Sequence, residues 1–364
     1  MKVKLENLSK RWGKVVGADH INLEINDGEF VAFLGPSGCG KTTTLLMVAG
    51  IYKPTEGTIN FDDRVVNLVA PKDRNIGMVF QSYALYPHMT VFQNISYPLK
   101  LQKIPKEEMK KRAQKVADMM DIGHLMERKP AQLSGGQQQR VALGRALVKE
   151  PKLLLFDEPL SNLDARLRLS MRGEIKRLQV ELGITSIYVT HDQVEAMTMA
   201  DRVAVMKGGE LQAYDPPDVL YDKPRTLFVA SFVGNPPMNL IDVEVSRENS
   251  NYHARTEGID LIVPAERGEK AAGKGQVIMG IRPEDITIAS TGSGKGTDRD
   301  VSGDIYVVEP LGRDDLIDVR VGDVSIRVLA NPALKLKMGE NTRLEFNTSK
   351  AQFFDPATEQ SLLW

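Results

Sequence analysis

The segment Gly35-Pro36-Ser37-Gly38-Cys39-Gly40-Lys41-Thr42 constrains this chain more than any other. A continuous apolar run, Phe30–Leu34, precedes it, and the helix-forming stretch Thr43-Thr44-Leu45-Leu46-Met47-Val48-Ala49 follows. Strand, glycine-rich loop and helix in that order make a cradle for a phosphate. Glycines let the backbone curl until successive N–H groups face one anion, and the helix adds its positive end. Lys41 supplies a point charge for β- and γ-phosphates, and the Thr42 hydroxyl suits Mg²⁺. Residues Gly35 through Thr43 are therefore the expected phosphate-binding loop.

A second apolar run, Leu153-Leu154-Leu155-Phe156, ends in Asp157-Glu158. Ligands of open α/β sheets bind beyond the carboxyl ends of the strands, so Asp157 is expected beside the phosphates, holding Mg²⁺ directly or through water. Adjacent strand residues face opposite ways, which leaves Glu158 for another task, polarising the attacking water as general base. ATP with Mg²⁺ is the expected ligand pair.

Alternating short apolar strands and helices, including Ser186–Thr190 and Arg202–Met206, extend to about residue 235 and predict a mainly parallel sheet. Residues 106 to 121 read as a helix, with Met109, Ala113, Val116 and Met120 on one face. Near Gly234-Asn235-Pro236-Pro237 the texture changes to period-two alternation. Asp318 to Val321, then Gly322-Asp323, then Val324 to Val328 predicts a hairpin, and residues 290 to 296 read as an exposed loop. The expected domains are 1–235, with a helical subdomain about 84–150, and a small all-β domain at 236–364, plausible as a barrel.

Charge excludes one class. With 47 basic and 48 acidic residues the net charge is −1, so the chain lacks the positive field that nucleic-acid binding needs. Cys39 is the sole cysteine, which fits a reducing compartment. The N-terminus does not read as a signal peptide, and no stretch approaches the ~18 apolar residues of a membrane span. A peripheral location on the cytoplasmic face of a membrane is the expectation, with any membrane role carried by partners.

A phosphate loop and two carboxylates fit a kinase, a GTPase or a helicase equally well. Leu133-Ser134-Gly135-Gly136-Gln137 separates them. It resembles the signature of the ABC ATPases, P-loop NTPases with a mixed sheet and a helical subdomain. Gln81 resembles the family's Q-loop glutamine, Ser161-Asn162-Leu163-Asp164 its D-loop, His191 its switch histidine, and Trp12 the aromatic that stacks on adenine. Taken alone, Gln81 is an ordinary loop residue, His191 a satisfied strand-end histidine and Trp12 a packed surface aromatic.

The resemblance implies a homodimer in which the signature of one copy closes on ATP held by the other. It implies Glu158, His191 and Lys41 as catalytic residues. Trp12, Gln81, the 133–137 segment and Asp164 would contact nucleotide, and Thr42, Gln81 and Asp157 would hold the metal. Gly280-Ile281-Arg282-Pro283-Glu284-Asp285 and the β-rich tail narrow the likeness to ATPases of maltose-type importers, whose tail is an OB-like (TOBE/MOP-like) domain. That group works with two transmembrane permease subunits and, through them, an extracytoplasmic substrate-binding protein. Its cargo is sugars, oligosaccharides or glycerol phosphate. Tyr83, Leu85, Tyr86 and Met89 are expected as exposed apolar grip for the permease. An importer of polyamines, iron or other ions, a soluble ABC protein acting on ribosomes or DNA, and a nucleotide-binding regulator without transport stand as the alternatives.

Overall fold

A computed structural model describes residues 1–288 and 300–364; the stretch 290–296, read as a loop, lies outside the described residues. The chain divides into two compact units, Met1–Pro217 and Asp218–Trp364.

In the first unit, β1 (Val3–Trp12), β2 (Val15–Ile25), β4 (Glu56–Phe61) and β5 (Arg64–Val65) form an antiparallel sheet in the order β2-β1-β4-β5. A six-stranded sheet carries the site. It comprises β3 (Phe30–Leu34), β6 (Ile76–Val79), β7 (Leu153–Asp157), β8 (Thr185–Thr190), β9 (Arg202–Lys207) and β10 (Glu210–Asp215), in the order β10-β9-β3-β8-β7-β6. All neighbours run parallel except β10, which pairs antiparallel with β9.

The apolar runs have a simple cause. Phe30, Leu154, Phe156 and Tyr188 point into one core, with the helical elements, whereas Val31, Phe33, Leu153, Leu155, Ile187 and Val189 point into another, with the antiparallel sheet. Strands covered on both faces read as near-continuous apolar runs, and in β8 the buried polar residues Thr185, Ser186 and Thr190 are confined to the ends.

Helices α1 (Lys41–Ala49), α2 (Val91–Leu101), α3 (Lys106–Met119), α4 (Gly135–Leu147), α5 (Ala165–Leu182) and α6 (Gln193–Met199) complete this unit. Helix α1 starts two residues earlier than the sequence suggested, so Lys41 and Thr42 sit in its first turn. On α3, Ala113 and Val116 are buried and Met109 is partly buried against the same core, as the periodicity predicts.

The second unit opens with α7 (Pro217–Asp222), whose first residue closes the first unit, and α8 (Leu227–Phe232). Two five-stranded antiparallel sheets follow. One orders β11 (Asn239–Glu248), β12 (Asn251–Thr256), β13 (Ile259–Val263), β14 (Gln276–Ile281) and β20 (Gln352–Phe354) as β13-β12-β11-β14-β20. The other orders β15 (Ile286–Ile288), β16 (Asp300–Pro310), β17 (Asp315–Val321), β18 (Val324–Ala330) and β19 (Asn341–Phe346) as β15-β19-β16-β17-β18. Between β13 and β14 lies α9 (Ala265–Ala271). The hairpin forms as read, with Val321 opposite Val324 and Gly322 at φ 56° in the two-residue turn. The compact division at Pro217 precedes the change of texture at 234–237. Residues 221–233 bond within the second unit: the Arg282 guanidinium donates to the carbonyls of Tyr221 and Val233, and Leu227 N–H donates to Glu359.

Candidate active site

Parallel pairing brings four strand ends to one edge of the sheet. The phosphate loop leaves β3, Gln81 lies two residues past β6, Asp157 ends β7, and His191 follows β8. This is the edge where open α/β sheets bind ligands.

The loop is closely packed from beneath. A Cβ on Gly35 would lie 2.3 Å from the Met206 carbonyl oxygen, and one on Gly40, at φ 104°, would lie 2.3 Å from the Gly17 carbonyl oxygen. Only glycine fits either position. Gly209 N–H donates to the Cys39 carbonyl at 3.0 Å and ties the loop to the β9–β10 turn. Cys39 itself is buried in the core, so its backbone, not its thiol, belongs to the cradle. The Lys41 ammonium lies under the loop, donating to the carbonyls of Gly35 (2.7 Å) and Pro36 (3.0 Å).

Beside it the Thr42 hydroxyl donates to Asp157 Oδ1 at 2.8 Å. Burial, reinforced by the charge of Glu158, raises the Asp157 carboxyl above the usual carboxylate range; the Thr42 hydrogen bond and Lys41 oppose the shift. Among the described residues no three His, Cys, Asp or Glu side chains gather into a metal cage. A hydroxyl and a carboxylate in contact are nevertheless hard oxygen donors, the set Mg²⁺ uses when substrate phosphates and water complete its shell. The residues fit that ion.

Glu158 does not continue β7. Its φ is 45°, its N–H donates to the Val189 carbonyl at 3.0 Å, and this left-handed kink, rather than strand alternation, aims its side chain. His191 Nδ1 lies 3.2 Å from Glu158 Oε2, and Gln81 Nε2 lies 3.5 Å from the same oxygen. Gln81, Glu158 and His191 thus meet at one carboxylate next to Asp157.

Trp12 is 43% exposed at the end of β1, edge-on to Tyr52 with ring centroids 5.4 Å apart. Gly17 explains its place. A Cβ there would lie 2.5 Å from the indole ring and 3.0 Å from the Thr43 side chain, so the ring lies over a bare glycine next to α1.

Ser134 caps α4, accepting from Gln137 N–H while the Gln137 side chain accepts from Ser134 N–H. Ser134 and Gly135 are exposed at this helix end. The glycines abut the D-loop: a Cβ at Gly135 would be 3.3 Å from Leu163, and one at Gly136 3.0 Å from Leu167. Two site expectations are corrected. The Leu133 side chain is buried in the helical core, filling space there rather than facing a ligand. Tyr83 is likewise 6% exposed in that core and offers no surface grip, leaving Tyr86 exposed, with Leu85 and Met89 half-buried. Asp164 caps α5 through Leu167 N–H at 2.9 Å.

Sequence reasoning passed over several residues that organise these loops. Asn162 donates to the Gln81 carbonyl at 2.9 Å, joining D-loop to Q-loop. Arg168 reaches the Leu163 carbonyl at 3.2 Å and Asp192 at 3.6 Å, joining the D-loop to the residue after His191. Buried Asn94 accepts from Tyr86 N–H and donates to the carbonyls of Tyr86, Met89 and Thr90. An Asn inside an apolar helix face was the available signal.

Loop, lysine, hydroxyl and carboxylates on one sheet edge define a P-loop nucleoside triphosphatase. Residues 18–161 match the model of the ABC transporter family, 234–286 that of the MalK OB fold domain, and 279–354 that of the TOBE domain. The trehalose/maltose import ATP-binding protein of Thermococcus litoralis is 46% identical, with 99% of each chain covered. The sulfoquinovosyl glycerol transport ATP-binding protein of Agrobacterium fabrum is also 46% identical, again over 99% of each. An sn-glycerol-3-phosphate import ATP-binding protein of Brucella abortus is 49% identical over 88% of each. A dimeric ATP-binding cassette solved in a post-hydrolysis state with ADP and Pi superposes with a TM-score of 0.54 at 36% identity, covering 59% of this chain and 98% of that one. The chain belongs to the ABC transporter family, as an ATPase of the importer type with an OB-fold and TOBE tail. Among the described residues no helix is long and apolar enough to cross a membrane.

Proposed function

We propose that this chain binds and hydrolyses MgATP as a homodimer and so drives uptake of a sugar, an oligosaccharide or glycerol phosphate through separate permease subunits. The observation that carries the reading is the meeting of Gln81 and His191 on one oxygen of Glu158, beside the Thr42–Asp157 pair. The likeness to importer ATP-binding proteins supports the cargo class.

In this reading the backbone N–H groups of Gly35–Thr43 and the Lys41 ammonium hold the β- and γ-phosphates. Trp12 stacks on adenine. Thr42, Asp157 and the Gln81 amide oxygen hold Mg²⁺, which when bound offsets charge on the phosphate oxygens. Glu158 accepts a proton from the attacking water, and His191 fixes the carboxylate and that water in line. Ser134, Gly135, Gly136 and Gln137 of a second copy present a capped helix N-terminus to the γ-phosphate, with Asp164 in the adjoining loop. The exposed stretch around Tyr86 meets the permease on the cytoplasmic face of the membrane, and the tail contributes dimer contacts. The extracytoplasmic binding protein acts through the permease.

Release of phosphate from ATP by the purified protein, together with co-purification of permease subunits from native membranes, tests this. Retention of MgATP without phosphate release favours the regulator reading, and failure to retain MgATP refutes both.

A further inference from the structure

Within the second unit, α9, β20 and the last residues of the chain line an open cleft of about 430 Å³. Its size falls in the range of small-molecule sites, about 300–1,000 Å³. Three cations line it, Lys223, Arg267 and Lys270, against one acid, Glu266. Arg267 and Lys270 stand three residues apart on α9 and so share a face.

These charges lack counter-ions. None of the three cations makes an ion pair with an acid among the described residues; the side-chain hydrogen bonds of Arg267 and Lys270 go to backbone carbonyls. Arg267 donates from one terminal nitrogen to the Ala351 carbonyl at 2.5 Å, and Lys270 donates to the Leu363 carbonyl at 2.9 Å. Arg267 Nε is fully buried and has no acceptor. A guanidinium partly withdrawn from water with no acid beside it carries a desolvation cost that an anion nearby offsets. Burial accordingly pushes the Arg267 guanidinium below its usual range, and Glu266 opposes this only in part.

One wall is aromatic. The Trp364 indole N–H donates to the Lys223 carbonyl at 3.0 Å, which fixes the ring, and the Arg225 guanidinium lies 3.9 Å over it. The Trp364 ring is thus fixed against the Lys223 backbone, and both residues line the cleft. Trp364 gives the cleft what a plain phosphate site does not need.

We propose that this cleft binds a small soluble phosphate monoester of a sugar or polyol, its phosphate on Arg267, Lys270 and Lys223 and its carbon skeleton against Trp364. The site is separate from the nucleotide loop and uses none of its residues. Guanidinium and ammonium groups together suit a dianionic phosphate, and the aromatic wall suits a ring or chain of C–H groups. An open cleft of this volume is concave enough to suit a small solute rather than the flat contact of a membrane surface.

The test uses the full-length chain with Trp12→Phe, which leaves Trp364 as its one indole, and with the nucleotide loop saturated by MgADP. Glucose 6-phosphate is expected to change Trp364 emission saturably, and unphosphorylated glucose is not. Arg267→Gln should weaken binding about tenfold or more, as loss of a charge-assisted hydrogen bond does. Because Arg267 also supports Ala351, the exposed Lys270→Gln and Lys223→Gln variants each provide a second reading, with binding weakened several-fold and circular dichroism unchanged. Lys41→Ala should leave the response intact. No saturable response to glucose 6-phosphate at about 10 mM, far above a useful affinity, overturns the proposal. So does a response abolished by Lys41→Ala. Lys270-dependent sedimentation with phosphatidylglycerol vesicles, or capture of a polyglutamate peptide, without glucose 6-phosphate binding also overturns it.

Discussion

His191 Nδ1 lies 3.2 Å from Glu158 Oε2, although the two residues come from the ends of adjacent strands, β7 and β8, and stand 33 positions apart in the chain. The left-handed turn at Glu158 makes this possible by swinging its side chain across the strand end toward its neighbour. A carboxylate so placed has a histidine and the Gln81 amide on one oxygen, and its remaining lone pairs are open to a water.

Glu158→Gln keeps the shape of that group and removes its basicity. Steady-state phosphate release should fall about 10²–10⁴-fold, the usual contribution of a general base. Nucleotide binding should persist, and with ATP the variant should run as a dimer in size-exclusion chromatography. Near wild-type turnover would refute the assignment of Glu158 as base.

Gly17 offers a way to disturb base stacking while leaving Lys41, Thr42 and Asp157 in place, although its new side chain also reaches Thr43 at the end of the phosphate loop. A valine there would drive its side chain into the Trp12 ring and the Thr43 methyl, both within 3.0 Å of its Cβ. Gly17→Val should raise KM for ATP roughly tenfold, the scale of one aromatic–base stack, with kcat changed far less. An unchanged KM would show that Trp12 is a surface aromatic and nothing more.

Asp157 illustrates a conflict between stability and function. Burial raises its carboxyl in the folded chain, so the folded state binds a proton at a pH where the unfolded chain has already released it. Stability therefore falls as pH rises through the window between the unfolded and folded values, and the charged form remains a liability above it. Asp157→Asn keeps an oxygen acceptor for Thr42 and removes the charge. Without nucleotide or metal, its Tm at neutral pH should exceed that of the parent, and the gain should shrink on acidification toward the ordinary carboxylate range. Phosphate release should be lost in the same variant. Equal Tm values at every pH would contradict the shift.

Much of this site could be read from the chain because its determinants are local. Runs such as Phe30–Leu34 and Leu153 to Phe156 are apolar because each faces two cores, and parallel pairing then carries their last residues to one edge. What escaped reading depends on contacts distant in sequence. The burial of Tyr83 follows from how residues 83–90 fold onto the helical core. There Arg145 donates to the Tyr83 and Ala84 carbonyls and Asn94 gathers the loop, and nothing in the apolar spacing of that stretch says which aromatic turns inward. Leu133 misled for a related reason, since its apolar side chain anchors the segment in the helical core while Ser134 and Gly135 beside it stay exposed. The kink at Glu158 left no trace at all, because glutamate has no preference for the left-handed region.

Glu195 carries the last expectation. It lies 3% exposed at the start of α6, and its Oε2 accepts from the Tyr188 hydroxyl at 3.0 Å and the Thr190 hydroxyl at 2.7 Å. Thr190 in turn accepts from the Asp192 N–H at 2.9 Å, so the Thr190 side chain and, through it, the peptide after His191 hang from one buried carboxyl. Truncation to alanine removes the acceptor for two hydroxyls, of which the Tyr188 group is fully enclosed. The cost should be about 1–3 kcal/mol of unfolding free energy for that orphaned donor, read by urea denaturation. Because the same change frees the His191 backbone, kcat should fall further than KM rises. Glu195→Gln keeps an oxygen in place and adds no charge where burial already disfavours one, so it should recover most of both losses. If Gln and Ala prove equally damaging, the carboxyl does more than accept two hydrogen bonds, and the anchoring account of His191 fails.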